Sequence, residues 1–235
     1  MRAIALIGVL TVGLTVSGCE STSRARSVEE TGFLGAETTA LLRPGGGKEA
    51  QLRYVRPGVD WASYRNVLLD PVTLWRGQES AADEVSAKDA QALTDYFYSV
   101  IRQSLQKQGI KLVSAPEPHT LRVKVAIVKP REANVAMDVV STVIPTLHAL
   151  SSLDKLTTGK PAFVGEAQVE VKVTDALTGE LLGAGIDHRV GGNVLNSSTL
   201  KSWGQVEEMM RLWAAGSSYN LCRMQDRAGC IAPPQ

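Results

Sequence analysis

Glu166-Ala167-Gln168-Val169-Glu170-Val171-Lys172-Val173-Thr174-Asp175, then Ala176-Leu177-Thr178-Gly179-Glu180, then Leu182, Ala184, Ile186 and Val190 as the chain returns: this stretch decides the fold. From Phe163 to Asp175, Ala167, Val169, Val171 and Val173 alternate with Glu166, Gln168, Glu170 and Lys172. That is the period of a strand with one dry and one wet face. Asp175 to Glu180 has turn composition, so the apolar residues from Leu182 to Val190 read as the second arm of a hairpin, closed by Gly191-Gly192. On this reading Glu166 and Glu170 share the wet face, with Asp187 and Arg189 joining them from the other arm. His188 falls on the apolar side beside Ile186 and Val190.

The segments around the hairpin supply its neighbours and its cover. Thr120 to Lys129 alternates Leu121, Val123, Val125 and Ile127 with Arg122 and Lys124, which predicts another strand. Asn66 to Trp75 is a further strand with a buried Val67-Leu68-Leu69 run, interrupted where Pro71 cannot donate to a ladder. Leu52 to Val55 and Ile110 to Val113 are short strands, and Val59 to Tyr64 is a bend or helical turn. Ser86-Ala87-Lys88-Asp89 resembles a capping box opening a helix to about Gln108, with Ala90, Leu93, Phe97, Val100 or Ile101, and Leu105 at helical spacing and Gly109 as C-cap. Ser202-Trp203-Gly204-Gln205 predicts a second capping box, before a helix whose Trp203, Val206, Met210 and Trp213 form a core stripe. One sheet with its apolar side under two helices satisfies every stripe. The expected fold is α+β: a single two-layer domain, a mixed, mostly antiparallel sheet with two main helices on one face.

The N-terminus carries a different signal. Arg2 precedes an uncharged run from Ala3 to Val16, about 14 residues against the roughly 20 needed to span a bilayer. Val16-Ser17-Gly18-Cys19 resembles a lipobox, so residues 1–18 read as a lipoprotein signal peptide and the Cys19 thiol as the acceptor of diacylglycerol, with palmitate-type chains completing the anchor. The alternative is a plain secretory signal followed by an unrelated cysteine. Glu20 in place of Asp favours the outer membrane by resemblance, with the body facing the periplasm. Residues 19–31 are Ser-, Arg-, Glu- and Thr-rich and read as a flexible polar tether, 32–221 as the globular domain, and 222–235 as a C-terminal tail. Lipidation of Cys19 leaves Cys222 and Cys230, which an oxidising periplasm would join; a metal reading finds no further ligands nearby. Lys and Arg number 25, one of them in the signal, against 24 Asp and Glu. No basic block marks the chain, so nucleic acid is not an expected partner.

The body also resembles a known family. The residues that carry this are Leu52-Arg53-Tyr54-Val55, Val59-Asp60-Trp61 with Tyr64, Val67-Leu68-Leu69-Asp70-Pro71-Val72 with Trp75, and Thr158-Gly159-Lys160. They continue with Phe163-Val164-Gly165-Glu166-Ala167, Val169-Glu170, Asp175 with Thr178-Gly179-Glu180, Trp203, and Trp213-Ala214. Across roughly residues 32–215 the chain resembles the uncharacterised bacterial lipoprotein family known as domain of unknown function 3313. The resemblance implies a lipoprotein and supplies no catalytic residues.

For chemistry the sequence offers little. There is no Gly-x-Ser-x-Gly elbow, and neither Arg43–Lys48 nor Thr158-Gly159-Lys160 has phosphate-loop spacing. His119, His148 and His188 lack the spacing of a helical metal pair, so no metal, cofactor or catalytic group is assigned. The uncharged residues 139–153 read either as a buried crossover or as a membrane- or partner-touching loop. Tyr54, Trp61, Tyr64 and Trp75 form the densest aromatic group, a candidate binding surface if not core packing. The expectation is a non-enzymatic, lipid-anchored envelope protein that binds a partner protein or envelope component. The alternatives are an envelope hydrolase using Glu166, Glu170 or His188, and small-ligand or cell-wall binding at the aromatic group.

Overall fold

The structure is a computed structural model describing residues 22–47, 49–75, 85–131, 165–192 and 203–233. Residues 1–18, Cys19, the uncharged stretch 139–153 with His148, Thr158-Gly159-Lys160, and Ser202 lie outside the described residues.

Among the described residues nine strands form one sheet: β1 (Thr22–Arg24), β2 (Arg43–Pro44), β3 (Leu52–Val55), β4 (Asn66–Leu69), β5 (Thr73–Trp75), β6 (Lys111–Leu112), β7 (Thr120–Arg131), β8 (Glu166–Asp175) and β9 (Leu181–Gly191). The order is β2-β3-β9-β8-β7-β4-β6, with β1 added to β9 beyond β3 and β5 added to β7 beyond β4. The ladders at β4, β5 and β6 are parallel, and the others are antiparallel. Among the described residues, three α-helices accompany the sheet: α1 (Ala36–Thr39), α2 (Ala87–Lys107) and α3 (Gly204–Met224). The α+β class, the mixed sheet and its main helices are as the periodicity predicts.

Local chemistry explains most element boundaries. The Ser86 side chain accepts from the Asp89 N–H at 3.1 Å and opens α2, while Gly109, at φ 69°, takes the left-handed turn that ends it. Asp70-Pro71-Val72 separates β4 from β5 where the missing proline N–H breaks the ladder. Of the second capping box, Ser202 lies outside the described residues; Trp203 stands at the N-cap, where its indole cannot accept a hydrogen bond, and Gln205 turns inward and accepts from Gly165 N–H at 2.5 Å.

The helix side of the sheet holds the main core, in which Leu93, Phe97 and Ile101 of α2 and Val206, Met209 and Met210 of α3 pack on Leu121, Val125, Ile127, Ala167 and Val169. The opposite side is also covered. Phe33, Leu34 and Leu42 pack there against Ala184, Ile186, Leu52 and Tyr54. Of the expected tether, residues 22–31 lie on the sheet: Thr22–Arg24 are paired with Gly191–Arg189, and Ala25 N–H donates to His188 O at 2.9 Å.

The C-terminus is fastened at the far end of the helices. Cys222 and Cys230 form a disulfide. Gln108 Nε2 donates to Ile231 O at 2.7 Å, the Ile231 N–H donates to Gln108 Oε1 at 2.9 Å, and Arg227 donates to the Gly109 and Arg65 carbonyls.

Candidate functional site

The register of β8 on β9 decides where the polar residues go. Val169 lies opposite Asp187 and Ala167 opposite Arg189, whereas Gln168 lies opposite His188 and Glu170 opposite Ile186. Asp187 and Arg189 therefore project to the helix side, and Glu166, Gln168, Glu170 and His188 project to the other. The expected single wet face carrying all four charged residues does not exist. Two separate polar groups take its place, each under cover.

The first group fastens the N-terminal arm. Gln168, 2% exposed, accepts from the Glu29 N–H at 2.8 Å and donates to the Glu29 carbonyl at 2.7 Å, reading that backbone as a neighbouring strand would. Thr31 Oγ1 donates to Glu170 Oε1 at 2.6 Å, and Gln168 Nε2 donates to the same oxygen at 3.2 Å. Glu170 is 1% exposed, and this burial pushes its carboxyl above the ordinary value, against the hydrogen bonds from Thr31, Gln168 and the Leu34 backbone. His188 Nδ1 lies 2.8 Å from the Ser27 carbonyl, which can only accept, so Nδ1 carries the proton. Its Nε2 lies 3.9 Å from Glu166 Oε2. Lys172 Nζ reaches the Leu34 carbonyl at 3.4 Å.

The second group is centred on Asp187, 4% exposed beneath α3. Its Oδ2 accepts from Trp213 Nε1 at 2.7 Å and Arg189 Nε at 3.1 Å; its Oδ1 accepts from the Gln51 N–H at 3.0 Å and lies 3.5 Å from Arg24 Nε. One carboxylate thus ties β1, the approach to β3, β9 and α3 together.

The four aromatic residues do not form one groove. Trp61 and Tyr64 face the main core, with ring centroids 6.3 Å apart, and the Tyr64 hydroxyl donates to Asp175 Oδ2 at 2.9 Å. Burial and that carboxylate push the Tyr64 phenol up to about 12. Tyr54 packs on the opposite side of the sheet with Leu34 and Ile186. On that side too, Trp75 meets Phe33 edge-on at 5.5 Å and donates to the Thr31 carbonyl at 2.9 Å. The aromatics are shared between the two layers.

Arg24, Thr31 and Gln51 are contributors that the periodicity does not single out, and Asp187 and Gln205 serve in places other than the wet face and the helix cap expected of them. A signal was nevertheless present. Gly183, Gly185, Asp187, Arg189 and Gly191 alternate along β9, and glycine at every second position marks a face closely approached by other groups. A Cβ on Gly191 would collide with the Gln205 amide.

Chemically, the arrangement can hold a segment in place and keep a carboxyl and an imidazole out of water. Among the described residues no group of three or more His, Cys, Asp or Glu side chains is placed to hold a metal ion. A shallow hollow of about 420 Å³ lies at the disulfide loop, lined by Tyr219, Arg223, Asp226, Arg227, Gly229 and Cys230, away from both polar groups.

The family model described as "Protein of unknown function (DUF3313)" matches residues 29–217. No curated protein matches the chain. Among solved structures, the PelC dodecamer from Paraburkholderia phytofirmans is similar at 11% identity, covering 74% of this chain and 95% of that chain with a TM-score of 0.43. A single-substitution variant of that protein is similar at 10% identity, with 75% and 95% covered and a TM-score of 0.42.

Proposed function

The chain belongs to the DUF3313 family of proteins of unknown function, and from that premise we propose a role read from its own residues. It is a non-enzymatic, lipid-anchored protein of the bacterial envelope. Acyl chains on Cys19 hold it in the outer membrane with the body in the periplasm, where that body binds a partner protein or an envelope component. One observation carries the reading. The arm from Thr22 to Leu34, which begins two residues after Glu20, is built into the sheet by Gln168 and by Glu170 and His188, two of the three side chains the sequence offers for chemistry. Those groups are spent on fastening the anchor-proximal arm rather than turned toward a substrate. The Cys222–Cys230 disulfide suits an oxidising compartment.

Intact-mass analysis of protein extracted from membranes tests the anchor. The expected product begins at Cys19 and carries the added mass of a diacylglyceryl group and an acyl chain, and a Cys19→Ser form leaves the membrane fraction. A free thiol at Cys19, or a retained leader, would overturn the reading. Crosslinking in native membranes tests the binding role: the anchored protein is expected to capture a partner that the Cys19→Ser form does not, and failure at every crosslinker length counts against it.

A further inference from the structure

We infer that the strip of sheet around Lys124 and Lys172 is a docking surface for an acidic segment of a partner protein, lying in extended form along β7. The inference rests on the proposed partner-binding role, and it names where the partner sits and what chemistry it brings. Lys124 of β7 lies directly opposite Lys172 of β8 in the antiparallel ladder, so both side chains leave the same side of the sheet from Cβ atoms about 5 Å apart. Like charges so placed destabilise a sheet. Lys172 is half-buried and its Nζ donates to the Leu34 carbonyl at 3.4 Å, whereas Lys124 is exposed and has no hydrogen-bond or ion-pair partner among the described residues. Arg122, two residues along β7 and about 7 Å away, adds a third cation on that side. Its Nε donates to the Asp70 oxygens at 3.0 and 2.9 Å, and its side chain is 41% exposed.

The carboxylates on this side of the sheet are committed elsewhere. Asp70 accepts from Arg122, Glu170 is buried beneath Thr31 and Gln168, and Glu166 lies beside His188. Two lysines kept face to face at a cost in stability mark a place where a local rule yields to function. Carboxylates are their complement. Alternate side chains of an extended chain point the same way about 7 Å apart, which is the spacing from Lys124 to Arg122. Asp or Glu at alternate positions would set one carboxylate between Lys124 and Lys172 and the next at the guanidinium N–H groups that Asp70 leaves. An anionic lipid surface carries the same charge in the wrong shape. Phe33, Leu34 and Leu42 pack on this side of the sheet beside the lysines, and a layer packed on a sheet stands about 10 Å above it. That layer holds a flat bilayer off the strip but leaves room for a single chain alongside. Its exposed charges from residue 26 to 37 are Arg26, Glu29, Glu30 and Glu37, a net negative rim that repels anionic headgroups.

The probe is a dye-labelled peptide with Glu at alternate positions, titrated by anisotropy at low salt against the full chain carrying Cys19→Ser. Adding Lys124→Gln or Lys172→Gln is expected to weaken binding about three- to fivefold each, the size of an exposed ion pair, and Lys124→Arg should restore it. Lys107→Gln removes the same charge from the exposed end of α2 and should leave binding within about twofold. Absent binding, or an equal loss in Lys107→Gln, overturns the inference. Thermal unfolding adds a readout that a merely solvated lysine would not move: Lys124→Gln should raise the midpoint by about 1–3 °C, and a midpoint no higher than that of the unsubstituted chain overturns the claim that the pair is kept at a cost. Sedimentation with phosphatidylglycerol vesicles tests the rival occupant. The same chain is expected to stay in solution, and co-sedimentation lost in Lys124→Gln would give the strip to lipid and overturn the protein partner. Crosslinking in native membranes separates this inference from the reading beneath it. A partner caught by the anchored protein should escape its Lys124→Gln/Lys172→Gln form; equal capture by both overturns this surface alone, and capture by neither overturns the partner-binding role itself.

Discussion

Asp187→Ala is the substitution from which this fold should suffer most. The carboxylate, itself buried, accepts from Trp213 Nε1 and the Gln51 N–H, both half-buried, and from Arg189, with Arg24 alongside. Truncation leaves two neutral N–H donors without a partner, each costing about 1–3 kcal/mol. The two guanidinium groups are 20% and 26% exposed and recover part of their hydration, so their contribution is smaller than that of a fully buried broken pair. The sum is about 3–5 kcal/mol, a large share of the ~5–15 kcal/mol that holds a domain together. At about 2–4 °C per kcal/mol for a domain of this size, the midpoint should fall by about 6–20 °C. Asp187→Asn keeps one acceptor oxygen and turns an amide N–H₂ toward the other donors, and should cost about half as much. Thermal unfolding followed by near-ultraviolet dichroism and tryptophan fluorescence reads both variants. A double-mutant cycle with Trp213→Phe should return a coupling of about 1 kcal/mol or more. A loss below about 1 kcal/mol for Asp187→Ala would refute the reasoning, because it would mean that the four elements meeting at this carboxylate are held by something else.

The other predictions concern groups whose environments differ as sharply. Burial holds the Glu170 carboxyl above its ordinary value, so the folded state keeps a proton that the unfolded state releases. Its contribution to stability is fully present below the unfolded carboxyl value, near pH 4.3, and is lost as pH rises through the folded value. Denaturant titrations across that window should show this fall in the native protein and a flatter profile in Glu170→Gln. Asp175 behaves oppositely. The Thr178 and Leu177 N–H groups and the Tyr64 hydroxyl hold its carboxyl low, so its contribution should be present above its unfolded value near pH 3.9 and disappear as pH falls through the folded one; Asp175→Ala should remove that acid-side loss. In an ultraviolet titration one phenol should lag until about pH 12, and Tyr64→Phe should abolish that lagging component. Reduction of Cys222–Cys230 should cost about 2–3 kcal/mol on the loop-entropy estimate, and hydrogen exchange should accelerate first at Ile231 N–H, which donates to Gln108. Gly191→Ala should cost about 1–3 kcal/mol by displacing the Gln205 amide, and a melting temperature equal to that of the native protein would speak against the contact.

The elements readable in the sequence are those whose signals are local. The α2 capping residue, its 3.6-residue stripe through Leu93, Phe97, Ile101 and Leu105, and the break at Pro71 each depend on a few neighbouring residues. Tertiary demands override such signals elsewhere. Gln205 has the spacing of a capping residue, yet the Gly165 N–H at the buried end of the sheet claims its side chain. The polar residues from Thr22 to Thr31 have the composition of a solvated linker, and composition alone cannot reveal that Gln168 presents both an acceptor and a donor to the Glu29 backbone.

The misreading of the hairpin traces to one residue. At the start of β9, Thr174 pairs with Leu181 but Val173 pairs with Gly183, so Leu182 is the extra residue of a bulge. Without it, Val173, Val171 and Val169 would face Leu182, Ala184 and Ile186, and the two arms would share one apolar side, as the alternation suggests. Because side chains alternate with period two, a slip of one residue sends the rest of β9 to the opposite side. Leu182 itself stays in the helix-side core, while Ala184 and Ile186 emerge beneath the N-terminal arm. That single insertion leaves a hairpin that is apolar on both surfaces and needs a second cover. The cover comes from the residues that follow Cys19, which would otherwise be free to act as a tether. The bulge therefore links the register of the sheet to the path of the N-terminal arm: a chain able to bury Ile186 in this way must bring residues 22–34 down onto the sheet.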